Sequence, residues 1–271
     1  MHPLARSITV ALITFGASLL GMLIQLGVSL EVLTASKGAV GGMVGLVSLL
    51  LALVLGLLVF TAFSIFTTQQ SEAYSLGPVV ADIDLALDQY GPEGASGRAG
   101  LRASLQRTRV RFFGDAERGP QPFTFDEMKA TFAGLDGYFD SLEPATDRQR
   151  RLVTKAWDLA RKYHDTQMTM ARQLASPFPP HVLTVVICWA TVLFLGNGVV
   201  AAPNAVTIIA HLAGAISIGT AIFLILELSN PYTGFIRISP AGVDNALSVL
   251  GEVSSPAPDG PVQSERARTP A

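Results

Sequence analysis

The sequence predicts an all-α membrane protein with four transmembrane helices and a cytoplasmic helical segment between spans 2 and 3. Three observations carry that expectation. Only 15% of the 271 residues are charged, against roughly 25% in a soluble globular domain, and the mean hydropathy is +0.43. Four apolar runs, residues 8–30, 39–66, 182–202 and 205–226, contain no Asp, Glu, Lys or Arg. The charges gather instead in the middle of the chain, where apolar residues recur at steps of three and four.

Each apolar run supplies the roughly 20 residues that a helix needs to cross about 30 Å of hydrocarbon. Backbone polar groups cannot be left open in lipid, so these runs must be helical. The first follows "MHPLAR" and is too long for the roughly 7–15 residue core of a signal peptide, so it reads as a signal-anchor. Fourteen of the Lys and Arg residues lie between Thr67 and Pro180. Arg6, Arg237, Arg266 and Arg268 fall on the same side of the four spans, and only Lys37 lies on the other. The positive-inside rule then places both termini and the middle segment in the cytoplasm of a cell whose inner membrane holds the spans.

The expected organisation is residues 1–66 as spans 1 and 2, 67–180 as the cytoplasmic helical segment and 181–228 as spans 3 and 4. An interfacial turn and short amphipathic helix follow over 229–251, then a Pro/Ser-rich disordered tail over 252–271. In the middle segment, Phe125, Met128, Phe132, Leu135, Phe139 and Leu142 share one helical face behind a Thr124/Glu127 capping box. A second helix starts at Thr146 and Gln149, with Leu152, Ala156, Leu159, Tyr163, Met170 and Leu174 on its apolar face. Before both, Leu76, Val80, Ile83, Leu87 and Tyr90 form another stripe. Gly/Pro-rich breaks at 91–100 and 114–122 divide the pieces. Such narrow stripes pack on one another or on a neighbouring subunit.

Several residues are candidates for function. On the second span Gly41, Gly45, Ser48, Ala52 and Gly56 share a face, which Val59 and Phe63 extend. That face either lines an oligomeric pore, with Val59 or Phe63 as an apolar constriction, or makes ordinary small-residue contacts with the other spans. On the first span Ser7, Thr14, Ser18, Gly21 and Gln25 share a face, and the buried amide of Gln25 needs a partner. His211 is the one ionisable residue well inside a span, either a pH-sensitive group or a satisfied packing histidine. Glu72 and Glu227 lie at the cytoplasmic ends of spans 2 and 4. They either form an ion-binding or gating ring at the inner mouth or anchor the span ends by hydrogen bonds.

The exit from the fourth span reads "LELSNPYTGFIRISP", residues 226–240. Pro231 stops the helix and Gly234 permits a sharp turn. Tyr232 and Phe235 suit the headgroup layer, while Ser239 and Pro240 serve as N-cap and first residue of a new helix. Val243, Ala246, Leu247 and Leu250 give that helix its apolar face.

The net charge of −2 argues against nucleic acid as a partner. The single Cys188 leaves no intrachain disulfide, and the four His residues are too scattered for a metal site. Phosphate-loop, HExxH and GxSxG motifs are all absent, so neither an enzyme nor a cofactor is expected.

Two spans, a helical segment and two more spans resemble the bestrophin-like domain family. The resemblance is strongest over residues 151–250. It rests on "HVLTVVICWATVLFLGNGVVAAPN", with Trp189, Phe194, Gly196 and Ala202-Pro203-Asn204, and on the exit motif of Glu227, Pro231 and Gly234. Glu72-Ala73 resembles a family Glu-Ala-Asn, although Tyr74 stands where Asn is usual. Ser229 and Asn230 also depart from the family's Asp-x. The resemblance implies a homo-oligomeric ion channel for anions or small solutes, a pentamer by analogy. The alternative is a non-conducting membrane scaffold or sensor whose cytoplasmic helices bind a protein partner.

Overall fold

A computed structural model of the chain describes residues 3–114, 120–121, 124–175 and 180–252. The tail expected beyond residue 252 lies outside these, as do the side chains of Phe125 and Met128. The described residues form α1 (Pro3–Gly27), α2 (Leu30–Tyr90), α3 (Ala95–Phe113), α4 (Phe125–Asp140), α5 (Asp147–Ala175), α6 (Pro180–Val200), α7 (Ala205–Leu228) and α8 (Ala241–Glu252). A single 3-10 turn, Pro92–Gly94, joins α2 to α3. Four of these helices, α1, α2, α6 and α7, are long and apolar enough to cross a membrane.

The chain is organised around α2, a helix of 61 residues and so about 90 Å long at 1.5 Å per residue. Its first half belongs to the membrane layer and its second half to an extramembrane helical body. The stripe that begins at Leu76 is therefore not a separate helix. Pro78 lies inside α2 and cannot donate the hydrogen bond owed to the Tyr74 carbonyl. The helix tolerates it because Pro78 is on the exposed side. Leu76, Val79, Val80, Ile83 and Leu87 are buried on the other.

In the membrane layer α1 and α2 each pack against both α6 and α7. The α2 side of this core is Leu51, Leu55, Leu58 and Ala62, meeting Val186, Ala190, Leu193, Ile222 and Ile225. The outward faces are apolar too: Leu12, Leu23, Leu53, Leu57, Val192 and Ile209 are all exposed. A protein in water would not present such a surface, and lipid accepts it. The polar face of α1 turns inward. Thr14 and Ser18 are fully buried, and their hydroxyls donate to the carbonyls of Val10 at 3.0 Å and Phe15 at 2.8 Å within the same helix. At Gly21 and Gly198 the α1 and α6 backbones touch, so that a Cβ on either would collide with the other helix. In lipid such close approach, rather than hydrophobic exclusion, holds helices together.

The extramembrane body buries one continuous core from the second half of α2, α3, α5 and α8, with Phe139 from α4. Both expected helix starts are present. Thr124 and Glu127 exchange side-chain and backbone hydrogen bonds at the head of α4, and Thr146 and Gln149 do so at α5. The break expected at 91–100 is shorter: Gly97 and Gly100 lie within α3. That helix buries Leu101, Leu105, Thr108 and Phe112, a stripe that its interleaved arginines hide. Arg98 clamps α3 to α2, with Nε 2.7 Å from Asp84 and Nη1 2.6 Å from Asp88.

Candidate functional site

The small-residue face of α2 is not where α2 meets the rest of its own chain. A Cβ placed on Gly41, Gly45 or Gly56 meets nothing within 4 Å. Ala52 is exposed and Ser48 half-buried, its hydroxyl bonded back to the Val44 carbonyl at 2.8 Å. Phe63 is 52% exposed, while Val59 is half-buried and packs on the membrane core. Branched and larger side chains, Val44, Val47, Leu51 and Leu55, make the intrachain contacts instead. The packing alternative therefore fails for this chain alone. The stripe lies open along one side of the bundle.

At the base of α2 the polar residues do not form a carboxylate pair with one role. Glu227 is only 1% exposed. Its Oε2 accepts the backbone N–H of Phe235 at 2.9 Å and of Ile236 at 3.3 Å. Gly234, at φ +91°, makes this possible. That conformation is left-handed, and a Cβ there would run into the Glu227 carboxylate. The rest of the corner is equally well bonded: Asn230 Nδ2 donates to the Leu226 carbonyl at 2.8 Å, and Ile238 N to the Pro231 carbonyl at 2.8 Å. Of the two readings of Glu227, the hydrogen-bonded anchor matches this geometry.

Glu72 sits half-buried on α2, close enough to Tyr232 that its charge adds to the effect of burial in raising the phenol above its usual range. Tyr232 itself is not in a headgroup layer. It is 5% exposed and lies between Phe112 and Phe113, with ring centroids 5.6 Å and 5.3 Å away. The corner thus plugs into α3, and of its two aromatic residues Phe235, 78% exposed, is the one that points outward. The next helix begins one residue later than expected, at Ala241, whose N–H donates to the Ser239 hydroxyl at 3.2 Å.

His211 is half-buried near the start of α7. Its Nδ1 is 2.8 Å from the Thr207 carbonyl and its ring stands edge-on to Phe194, 6.2 Å between centroids. With a proton assigned to Nδ1, that nitrogen donates to the Thr207 carbonyl within its own helix. Sequence reasoning passed over one buried polar residue just past the apolar run of α2. Gln69 on α2 is 1% exposed and its Oε1 has no hydrogen-bond partner among the described residues. An amide three residues before Glu72, just past the apolar run, was the available signal.

Four candidate spans, a helical body built on an extension of one of them and an uncovered small-residue face define a multi-pass helical membrane protein. The family model described as the Bestrophin-like domain matches residues 11–243. The chain belongs to that family. No curated protein and no solved structure matches it.

Proposed function

We propose that the protein is a homo-oligomeric channel for anions or small solutes, in which the small-residue faces of α2 from several copies surround the conducting path. One observation carries the reading: Gly41, Gly45 and Gly56 on one face of α2 meet open space, while Gly21 of α1 and Gly198 of α6 are closed by contact between those two helices. A face of Gly45, Ser48, Ala52 and Gly56 gains nothing from lipid. It favours either another helix backbone or water. Phe63 and Val59, toward the body-bearing end, supply the apolar narrowing. Family membership supports the same arrangement, with five copies by analogy. The excess of Lys and Arg on the helical body supports a cytoplasmic position for that body and both termini. The chemistry asked of the chain is conduction, not catalysis.

The test is reconstitution of purified protein in a planar bilayer, alongside the mass of the solubilised particle. Unitary conductance steps that change in size with Val59→Ala or Phe63→Ala support the channel. A monomeric particle sinks the shared pore. A stable oligomer that stays silent favours a scaffold whose helical body docks a protein partner.

A further inference from the structure

Within the extramembrane body, α2, α3, α4 and α5 line a half-open cavity of about 460 Å³. Ligand pockets commonly fall between about 300 and 1,000 Å³, so this one is the size of a small organic molecule. Its walls are of two kinds. Ile83, Leu87 and Leu101 give an apolar floor, and Ser104, Arg107 and Gln167 give a polar end. No carboxylate is among the residues lining it. On the same helix Arg98, Arg109 and Arg111 are each held by an Asp or Glu at 2.6–3.1 Å. Arg107 is exposed and in no ion pair among the described residues.

The polar end is also pre-arranged. Tyr163 is buried, with its hydroxyl 3.2 Å from Thr108 Oγ1. Gln167 Nε2 donates to the same oxygen, which donates in turn to the Ser104 carbonyl at 2.9 Å. A fixed network beside one unpaired guanidinium suits an anionic head, and the apolar floor suits a short hydrocarbon or aryl body. A bilayer lipid is the wrong source. Ile83 and Leu87 lie about 25–32 Å along α2 from Phe66, where the apolar run ends. The ligand must come from water.

We propose that this cavity is a binding site for a small, water-soluble anionic amphiphile, an aryl-alkyl or short alkyl carboxylate, with its carboxylate at Arg107 and its apolar body over Ile83, Leu87 and Leu101. The site is independent of the pore reading, since none of its lining residues lies on the small-residue face.

Two glycines make the test clean. Gly100 on α3 and Gly134 on α4 both line the cavity, and a Cβ on either meets nothing within 4 Å. Leucine at either position starts from a Cβ in open space, takes up part of the cavity and improves helix propensity. The experiment is ligand-observed NMR on the full chain in nanodiscs, with phenylbutyrate as probe and phenylbutanol as its neutral counterpart. The wild type should bind phenylbutyrate saturably, with a Kd on the order of 1 mM or tighter. Gly100→Leu and Gly134→Leu, with unfolding temperatures at or above wild type, should abolish that binding. Arg107→Gln should weaken it about tenfold, and phenylbutanol should bind about tenfold more weakly than the acid. Equal signal from the wild type and the leucine variants would mean partition into lipid only and would overturn the site. Equal affinity for acid and alcohol would overturn the anionic assignment. Absence of saturable binding to the wild type would overturn both.

Discussion

The carboxylate of Glu227 reaches eight residues forward to hold the backbone N–H of Phe235 at 2.9 Å, closing the corner by which the chain leaves α7. The group is buried, so its removal leaves two N–H donors in need of a partner. Glu227→Ala should cost about 2–3 kcal/mol in thermal or denaturant unfolding of the solubilised protein. Gly234→Ala, which forces a Cβ toward that carboxylate at φ +91°, should cost about 1–3 kcal/mol. If Glu227→Gln instead changed ion selectivity at unchanged stability, the carboxylate would belong to an ion path and not to the corner.

Glycines of opposite environment should respond oppositely. Gly21→Ala or Gly198→Ala pushes a methyl group into a neighbouring backbone and should destabilise the protomer by about 1–3 kcal/mol. Gly45→Leu and Gly56→Leu meet open space and should leave the protomer's unfolding temperature unchanged, yet alter particle mass or conductance. Unchanged mass and conductance in both leucine variants would remove α2 from the proposed interface.

His211 is bonded to the Thr207 carbonyl and packed on Phe194, the surroundings of a packing histidine. His211→Ala should cost about 1–2 kcal/mol from the lost bond and ring contact. The pH profile of conductance between about 5 and 8 should keep its shape. A flattened profile would make the histidine a gate.

Acid sensitivity should come from the helical body. Burial, opposed by the charge of Asp165, lowers the His164 imidazole below its ordinary range. The unfolded chain therefore binds the proton more readily than the folded one. The contribution of His164 is complete above about pH 6.5 and is lost as pH falls through the folded value. Unfolding temperatures measured from pH 7.5 to about 5 should fall, and His164→Gln should flatten that slope.

Glu127 has the opposite titration range. The Arg111 guanidinium, and then the Thr124 cap, hold its carboxyl down at about 2. Its support for the start of α4 is present above the ordinary carboxylate range and is lost only as pH falls toward about 2. Glu127→Gln should shift the helicity of an acid titration between about pH 4 and 2. An unchanged curve would show that the Arg111 contact does not bind α4 to α3 in solution.

Much of the architecture is readable along the chain because its signals are local. Uncharged runs of about 20 residues mark all four spans, and Thr124/Glu127 and Thr146/Gln149 mark two helix starts by contacts within four residues. Where the signal is mixed, reading fails. The α3 stripe of Leu101, Leu105, Thr108 and Phe112 is crowded by five arginines from Arg98 to Arg111. Pro78 removes one hydrogen bond from α2, and the helix continues because the burial of Val79, Val80 and Ile83 outweighs that loss on the exposed side. Among the candidate site residues, helical periodicity puts Gly41 to Gly56 on one face of α2 but carries no sign of whether another helix covers it.

The number of spans, the face each small or apolar residue occupies and the turn chemistry of the exit at Pro231 and Gly234 are all legible along the chain. Those properties follow from helical periodicity and from the backbone freedom of single residues. Tertiary packing alone sets what covers each face. It closed α1 against α6 at Gly21 and Gly198, left the Gly45–Gly56 side of α2 bare, turned Tyr232 into the α3 core and gave Glu227 two backbone donors. Periodicity records which side chains point together. Their partners come from other helices and from loop closure, which local spacing does not specify.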